Sequence, residues 1–105
     1  MIQVTEETKA EWQIVGVAGR ADAEAADQLE AALRAAIAGH AQVAVDFSKL
    51  DYISSAGLRA VIQAARAAQT AGSKFLVCAL SPNAKKVFDM SGLHHILQIQ
   101  GELPC

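Results

Sequence analysis

The sequence predicts an α/β domain: one mixed β-sheet in the order β-β-α-β-α-β-α-β, with helices packed mainly on one face. Three observations carry this prediction. Short apolar runs alternate with longer stretches whose apolar residues recur every three or four positions. Gly, Pro and Ser fall where those segments end. The later short runs are apolar on both parities, as in parallel strands joined by helical crossovers and buried within a sheet.

Taken in order, Ile2–Val4 and Trp12–Ala18 read as strands, the second through Trp12, Ile14, Val15 and Val17 ahead of Gly19. They are expected to pair antiparallel, with Glu6–Ala10 as the turn. Asp22 offers an N-cap, Glu24 suits the positive end of the dipole, and Leu29, Leu33, Ala36 and Ile37 share one helical face before Gly39 closes the helix. Val43–Phe47 reads as a central strand, followed by a loop from Ser48 to Ile53. Leu58, Val61, Ile62, Ala65 and Ala68 line one face of a second helix that stops at Gly72, with Ser54 or Ser55 as its N-cap. Phe75–Leu80 reads as another buried strand. Ser81 and Pro82 supply the N-cap and N1 proline of a third helix, on which Ala84, Val87, Phe88 and Ser91 share one face before Gly92. His95–Gln100 alternates around Ile96 and is expected to form an edge strand.

At 105 residues, with 52% hydrophobic and 19% charged side chains, the chain suits a single domain over residues 1–105 with a true core. Its net charge of −2 lacks the clustered basic residues of a nucleic-acid footprint. The apolar runs are far shorter than the ~20 residues of a membrane span, and Met1–Ala10 lacks the regions of a signal peptide, so a cytoplasmic location is expected. Cys78 lies in an apolar run and Cys105 is the last residue. Neither suggests a disulfide framework, and Cys78 reads as a small hydrophobe.

The segment from Asp46 to Val61, DFSKLDYISSAGLRAV, places two hydroxyls at a helix start directly after a strand, where loops of α/β sheets carry function. Four orphan N–H groups and the macrodipole make that position hospitable to negative charge. Ser55 is therefore expected to carry a phosphate without unfolding the helix it caps.

In order, Ile53-Ser54-Ser55-Ala56-Gly57-Leu58 resembles the signature of STAS domains, especially the anti-sigma-factor antagonists: hydrophobic, Asp or Ser, Ser, small, Gly, Leu. The resemblance extends to Gly19 ahead of the first helix, the Val43–Phe47 strand and the Gly72–Leu80 turn and strand. It implies a STAS-type mixed sheet and a regulatory protein of the bacterial cytoplasm that is not an enzyme and needs no cofactor. It also implies Ser55 as the residue phosphorylated by a cognate anti-sigma factor that is itself a GHKL-type serine kinase, and dephosphorylated by a PP2C-type phosphatase. Partner switching would follow, the unmodified domain holding the anti-sigma factor and the phosphorylated one releasing it. A ~3 kcal/mol penalty already weakens binding about a hundredfold, and a phosphate adds about −1.5 to −2 charges to the interface. Ser54, Ser55, Ala56, Gly57 and Arg59 are the expected partner contacts, with Gly57 admitting a partner backbone or else packing within its own helix. Ser54 stands where the family often has Asp, and is the alternative phosphoacceptor.

Other signals are weaker. His94-His95 is not expected to bind metal, because neighbouring strand residues point to opposite faces and no third ligand has suitable spacing. Ser55 lacks G-x-S-x-G and a paired His, which argues against a hydrolase. Lys85 and Lys86 read as solvated surface, or as a basic rim for an acidic partner. Two other roles fit the same fold: a stand-alone subunit of a lipid-transport ABC complex with no phosphorylation cycle, and a small-ligand sensor.

Overall fold

The computed structural model describes residues 1–92 and 97–101. Its elements run β1 (Ile2–Lys9), β2 (Trp12–Ala21), α1 (Ala26–Gly39), β3 (Gln42–Asp46), β4 (Leu50–Ile53), α2 (Ser55–Ala71), β5 (Lys74–Cys78), α3 (Pro82–Met90) and β6 (Gln98–Gln100). Five strands lie in the order β1-β2-β3-β5-β6, and β4 pairs with β2 at Gly19–Ala21, beyond the Gln13–Gly16 stretch that pairs with β3. Only β1 is antiparallel to its neighbour; β2–β3, β3–β5, β5–β6 and β2–β4 are parallel. The mixed sheet expected from the sequence is therefore present.

Strand alternation sorts the core into two layers. Val15, Val17, Val43, Val45, Phe75 and Val77 face the helices and join Leu29, Leu33, Ile37, Val61, Ala64 and Phe88 in one buried cluster. The opposite face holds a smaller cluster of Ile14, Ala44 and Cys78, flanked by Trp12, Leu76 and Ala79. Alanines at positions 36, 60, 64 and 68 are buried and give α1 and α2 smooth faces for close packing. Phe47, just past β3, meets Phe88 of α3 with ring centroids 6.1 Å apart, tying the third helix to the loop that leads into the site.

Several boundaries differ from expectation. The strand expected over Ile2–Val4 continues to Lys9, and the turn is Ala10–Glu11 rather than Glu6–Ala10. Its outer half is exposed and held by the full register with β2, from Glu6↔Val15 to Lys9↔Trp12. Strand β2 continues past Ala18 to Ala21, with its pairing shifting from β3 to β4 near Gly19. Asp22 does not cap α1. Its carboxylate accepts from the Ala25 amide at 3.1 Å within a preceding turn, and the helix begins at Ala26. Gly39 is the last helical residue rather than a stop beyond it. Strand β5 ends at Cys78 instead of Leu80, where Ala79 takes a φ of 54°.

The largest correction concerns Ser48–Ile53, expected as a loop. Leu50–Ile53 is a strand, β4, that pairs with Gly19–Ala21 of β2. The order is thus β-β-α-β-β-α-β-α-β. The ends of α2 and α3 follow expectation: Gly72 caps α2 at φ 74°, a left-handed conformation that favours glycine, and Ser81 accepts from the Ala84 amide at 3.2 Å with Pro82 at N1. Of the expected last strand, Gln98–Gln100 is observed, while His94, His95, Ile96 and Cys105 lie outside the described residues.

Candidate functional site

The start of α2 is fixed from two sides. Behind it, the Phe47 carbonyl accepts from the amides of Leu50 at 3.1 Å and Ser81 at 3.3 Å, while the Asp46 carboxylate accepts from the Ser48 amide at 2.9 Å. The Ser81 hydroxyl also donates to the Leu50 carbonyl. These bonds hold the short turn between β3 and β4, and β4 in turn delivers Ser54 to the end of β2.

There the Ala21 carbonyl accepts twice from one residue, from the Ser54 amide at 2.9 Å and its hydroxyl at 3.1 Å. The same hydroxyl oxygen accepts from the Gly57 amide at 3.1 Å, and the Ser54 carbonyl accepts from the Leu58 amide at 2.9 Å. Ser54 is therefore the N-cap of α2, satisfying one of the helix's orphan donors. Ser55, expected to be able to cap the helix, is instead its first residue. It is exposed, and its hydroxyl has no hydrogen-bond partner among the described residues.

The remaining sequence-derived site residues separate by exposure. Gly57 is buried, and a Cβ there would lie 2.7 Å from both the Ala21 carbonyl oxygen and Ile53 Cγ1. The space left by its missing side chain is filled from within the chain. Ala56 is half-buried and Arg59 exposed. Ser55 and Arg59 meet at a groove of about 500 Å³ whose lining includes Leu58, Ile62 and Arg66. Leu58 and Ile62, read from the sequence on one helical face with Val61, are half-buried: they pack against the core cluster and line the groove. Arg66 escaped the sequence reading. Its signal was the spacing of Ser55, Arg59, Ile62 and Arg66, which follows one helical stripe.

Charge on this helix has one sign. Within α2 the ionisable side chains are Arg59 and Arg66, with no carboxylate in the first turn. Neither arginine makes an ion pair among the described residues, whose ion pairs are Met1–Asp22 and Arg34–Glu30. At the neighbouring strand ends Arg20 stacks on Tyr52, 4.5 Å from the ring centroid, leaving an exposed aromatic surface beside the corner.

Cys78 lies away from this corner, on the helix-free side of the sheet opposite Asp46. Burial, with the Asp46 carboxylate adding to it, pushes its thiol up to about 11. That is the behaviour of an inert core thiol. No group of His, Cys, Asp and Glu suited to a metal ion occurs among the described residues, and no described helix is long and apolar enough to cross a membrane.

The family model described as Mlab, STAS domain matches residues 4–99. The chain belongs to the STAS domain family. Within it, this STAS domain is of the anti-sigma-factor-antagonist kind: it is 40% identical over 85 residues to a Bordetella bronchiseptica protein, BtrV, that carries the name of an anti-sigma factor antagonist, spanning 80% of this chain and 71% of BtrV. In fold it is similar to an anti-sigma factor antagonist from Mycobacterium paratuberculosis, with a TM-score of 0.88, 23% identity, and coverage of 98% of this chain and 88% of that one. It is also similar to the anti-sigma factor antagonist SpoIIAA in its unphosphorylated form, with a TM-score of 0.73, 23% identity, and coverage of 94% and 87%. The Bacillus SpoIIAA structure in the phosphorylated form gives a TM-score of 0.68 at the same identity, covering 94% and 90%.

Proposed function

We propose that this STAS domain binds an anti-sigma factor through the start of α2, and that phosphorylation of Ser55 ends the binding. The observation that carries the reading is the contrast between two adjacent serines. Ser54 commits its hydroxyl as donor to Ala21 and as acceptor from Gly57, whereas Ser55 is exposed at the first position of the helix. A kinase can reach Ser55 without breaking any hydrogen bond of the corner. The similarity in fold to SpoIIAA, known in unphosphorylated and phosphorylated forms, points the same way.

The partner-facing residues on this reading are Ser55, Ala56 and Arg59, with the half-buried Leu58 and Ile62 as apolar contacts. Ser54 and Gly57 serve them by fixing the helix start. The anti-sigma factor, acting as a GHKL-type serine kinase, transfers the γ-phosphoryl group of ATP to Ser55 Oγ. An Oγ–P bond forms, the bond from γ-phosphorus to the β,γ-bridging oxygen breaks, the hydroxyl proton passes to a base of the kinase, and ADP leaves. A PP2C-type phosphatase reverses the modification by hydrolysis to serine and inorganic phosphate. The domain acts by binding and not by catalysis. The modification needs no refolding, because charge and bulk inside an interface built for a neutral hydroxyl cost desolvation and repulsion.

The test is incubation with a GHKL-type anti-sigma kinase and ATP, followed by mass-spectrometric mapping. Phosphate on Ser55 is the expected result. A peptide spanning Ser54 and Ser55 that stays unmodified, or carries phosphate on Ser54, contradicts the reading.

A further inference from the structure

We infer that a phosphate on Ser55 is captured by Arg59, one helical turn away, so that the modification cancels the groove's nearest cation while it adds an anion. This rests on Ser55 being the phosphoacceptor and adds how the phosphate is read within the chain itself.

Positions four apart on a helix are neighbours, and an anion placed N-terminal to a cation is the more favourable order of the pair. Ser55 and Arg59 are both exposed and both line the same groove. The arginine is free to respond, since among the described residues it makes no ion pair and no carboxylate lines the groove. Its planar fork of donors matches phosphate oxygens in pairs, which an ammonium does not do. Ser54 contributes by exclusion: its hydroxyl already holds the Gly57 amide, which is thus not available to draw the phosphate inward.

Arg66 provides an internal comparison. It lines the same groove and is also exposed. It lies eleven residues beyond Ser55, roughly 16 Å along the axis of an α-helix and out of reach of a direct pair. Phosphorylation thus leaves Arg66 outward-facing and turns Arg59 back along its own helix.

The experiment places phosphoserine at position 55 of the full chain by genetic encoding and follows the phosphate by phosphorus NMR across about pH 5 to 8, where its second proton titrates. Parent, Arg59→Gln, Arg59→Lys and Arg66→Gln proteins are compared. The phosphate of the parent is expected to lose that proton about half a unit lower than in Arg59→Gln, with Arg59→Lys in between and Arg66→Gln superimposing on the parent. Coincident curves for parent and Arg59→Gln would overturn the capture. So would an equal displacement by both glutamine variants, which would reveal a diffuse field in place of a pair. The titration uses neither kinase nor partner, so failure of the capture and failure of partner switching appear in separate experiments.

Discussion

Ser54 and Ala21, thirty-three residues apart, are joined by two hydrogen bonds onto one carbonyl oxygen, from the Ser54 amide at 2.9 Å and its hydroxyl at 3.1 Å. That double contact fixes the end of β2 against the first turn of α2, and it divides the labour between two neighbouring serines. One is structural and the other is left free.

Ser54→Ala removes the cap on α2 and one of the two bonds to Ala21. A lost serine cap costs about 1 kcal/mol, within a range of roughly 0.5–2, and for a domain of this size that corresponds to a fall in melting temperature of roughly 4–8 °C per kcal/mol. Ser55→Ala, at an exposed position whose hydroxyl has no hydrogen-bond partner among the described residues, is expected to stay within about 0.5 kcal/mol of the parent. Thermal melts of the two variants side by side check the division. Equal destabilisation would mean that Ser54 does not hold the corner.

Gly57→Ala tests the same corner from the helix side. The added Cβ would sit 2.7 Å from the Ala21 carbonyl oxygen, a backbone atom that cannot swing aside, and 2.7 Å from Ile53 Cγ1. Overpacking of this kind costs about 1–3 kcal/mol, more than the gain in helix propensity of up to about 1 kcal/mol from replacing glycine. Urea denaturation is expected to show a lower midpoint with an unchanged slope. A stabilised variant would contradict the close packing.

How much of this was legible in the sequence depends on how local each cause is. The caps at Ser81 and Gly72 act within a few residues and were readable. Strand β4 was not, because Leu50 and Ile53 are buried while Asp51 and Tyr52 between them are exposed, a pattern without alternation. What makes it a strand is pairing with Gly19–Ala21, far earlier in the chain. The outer half of β1 was hidden for the same reason, since Glu6–Lys9 are exposed and owe their conformation to β2. In the site, the stretch Ile53–Leu58 identified the right segment, but the roles of Ser54, Ser55 and Gly57 depend on where Ala21 lies. The shared helical face of Leu58 and Ile62 was legible, but that they are half-buried and line a groove with Ser55 and Arg59 depends on the tertiary packing.

Cys78 gives a pH-dependent prediction. Its thiol is pushed up to about 11 from an ordinary value of 9.0, by burial first and the Asp46 carboxylate second. The fold therefore favours the protonated thiol. Its contribution is complete below the unfolded value and is lost as pH rises from about 9 to 11, because the unfolded chain ionises first. The stability advantage of the parent over Cys78→Ala should shrink across that window by up to about 2–3 kcal/mol. In a Cys105→Ser background, Cys78 should resist alkylation at neutral pH until the protein is unfolded. Rapid labelling of the folded protein would contradict its burial.

On the proposed function, Ser55 switches binding while leaving the fold intact. It is tested by the affinity of the parent, Ser55→Ala and Ser55→Asp proteins for a GHKL-type anti-sigma kinase, the partner proposed above, with melting temperatures recorded alongside. Ser55→Ala is expected to bind like the parent and Ser55→Asp at least tenfold more weakly, about 1.4 kcal/mol or more, with all three melting alike. Equal affinities for Ser55→Ala and Ser55→Asp, at equal stability, would contradict it.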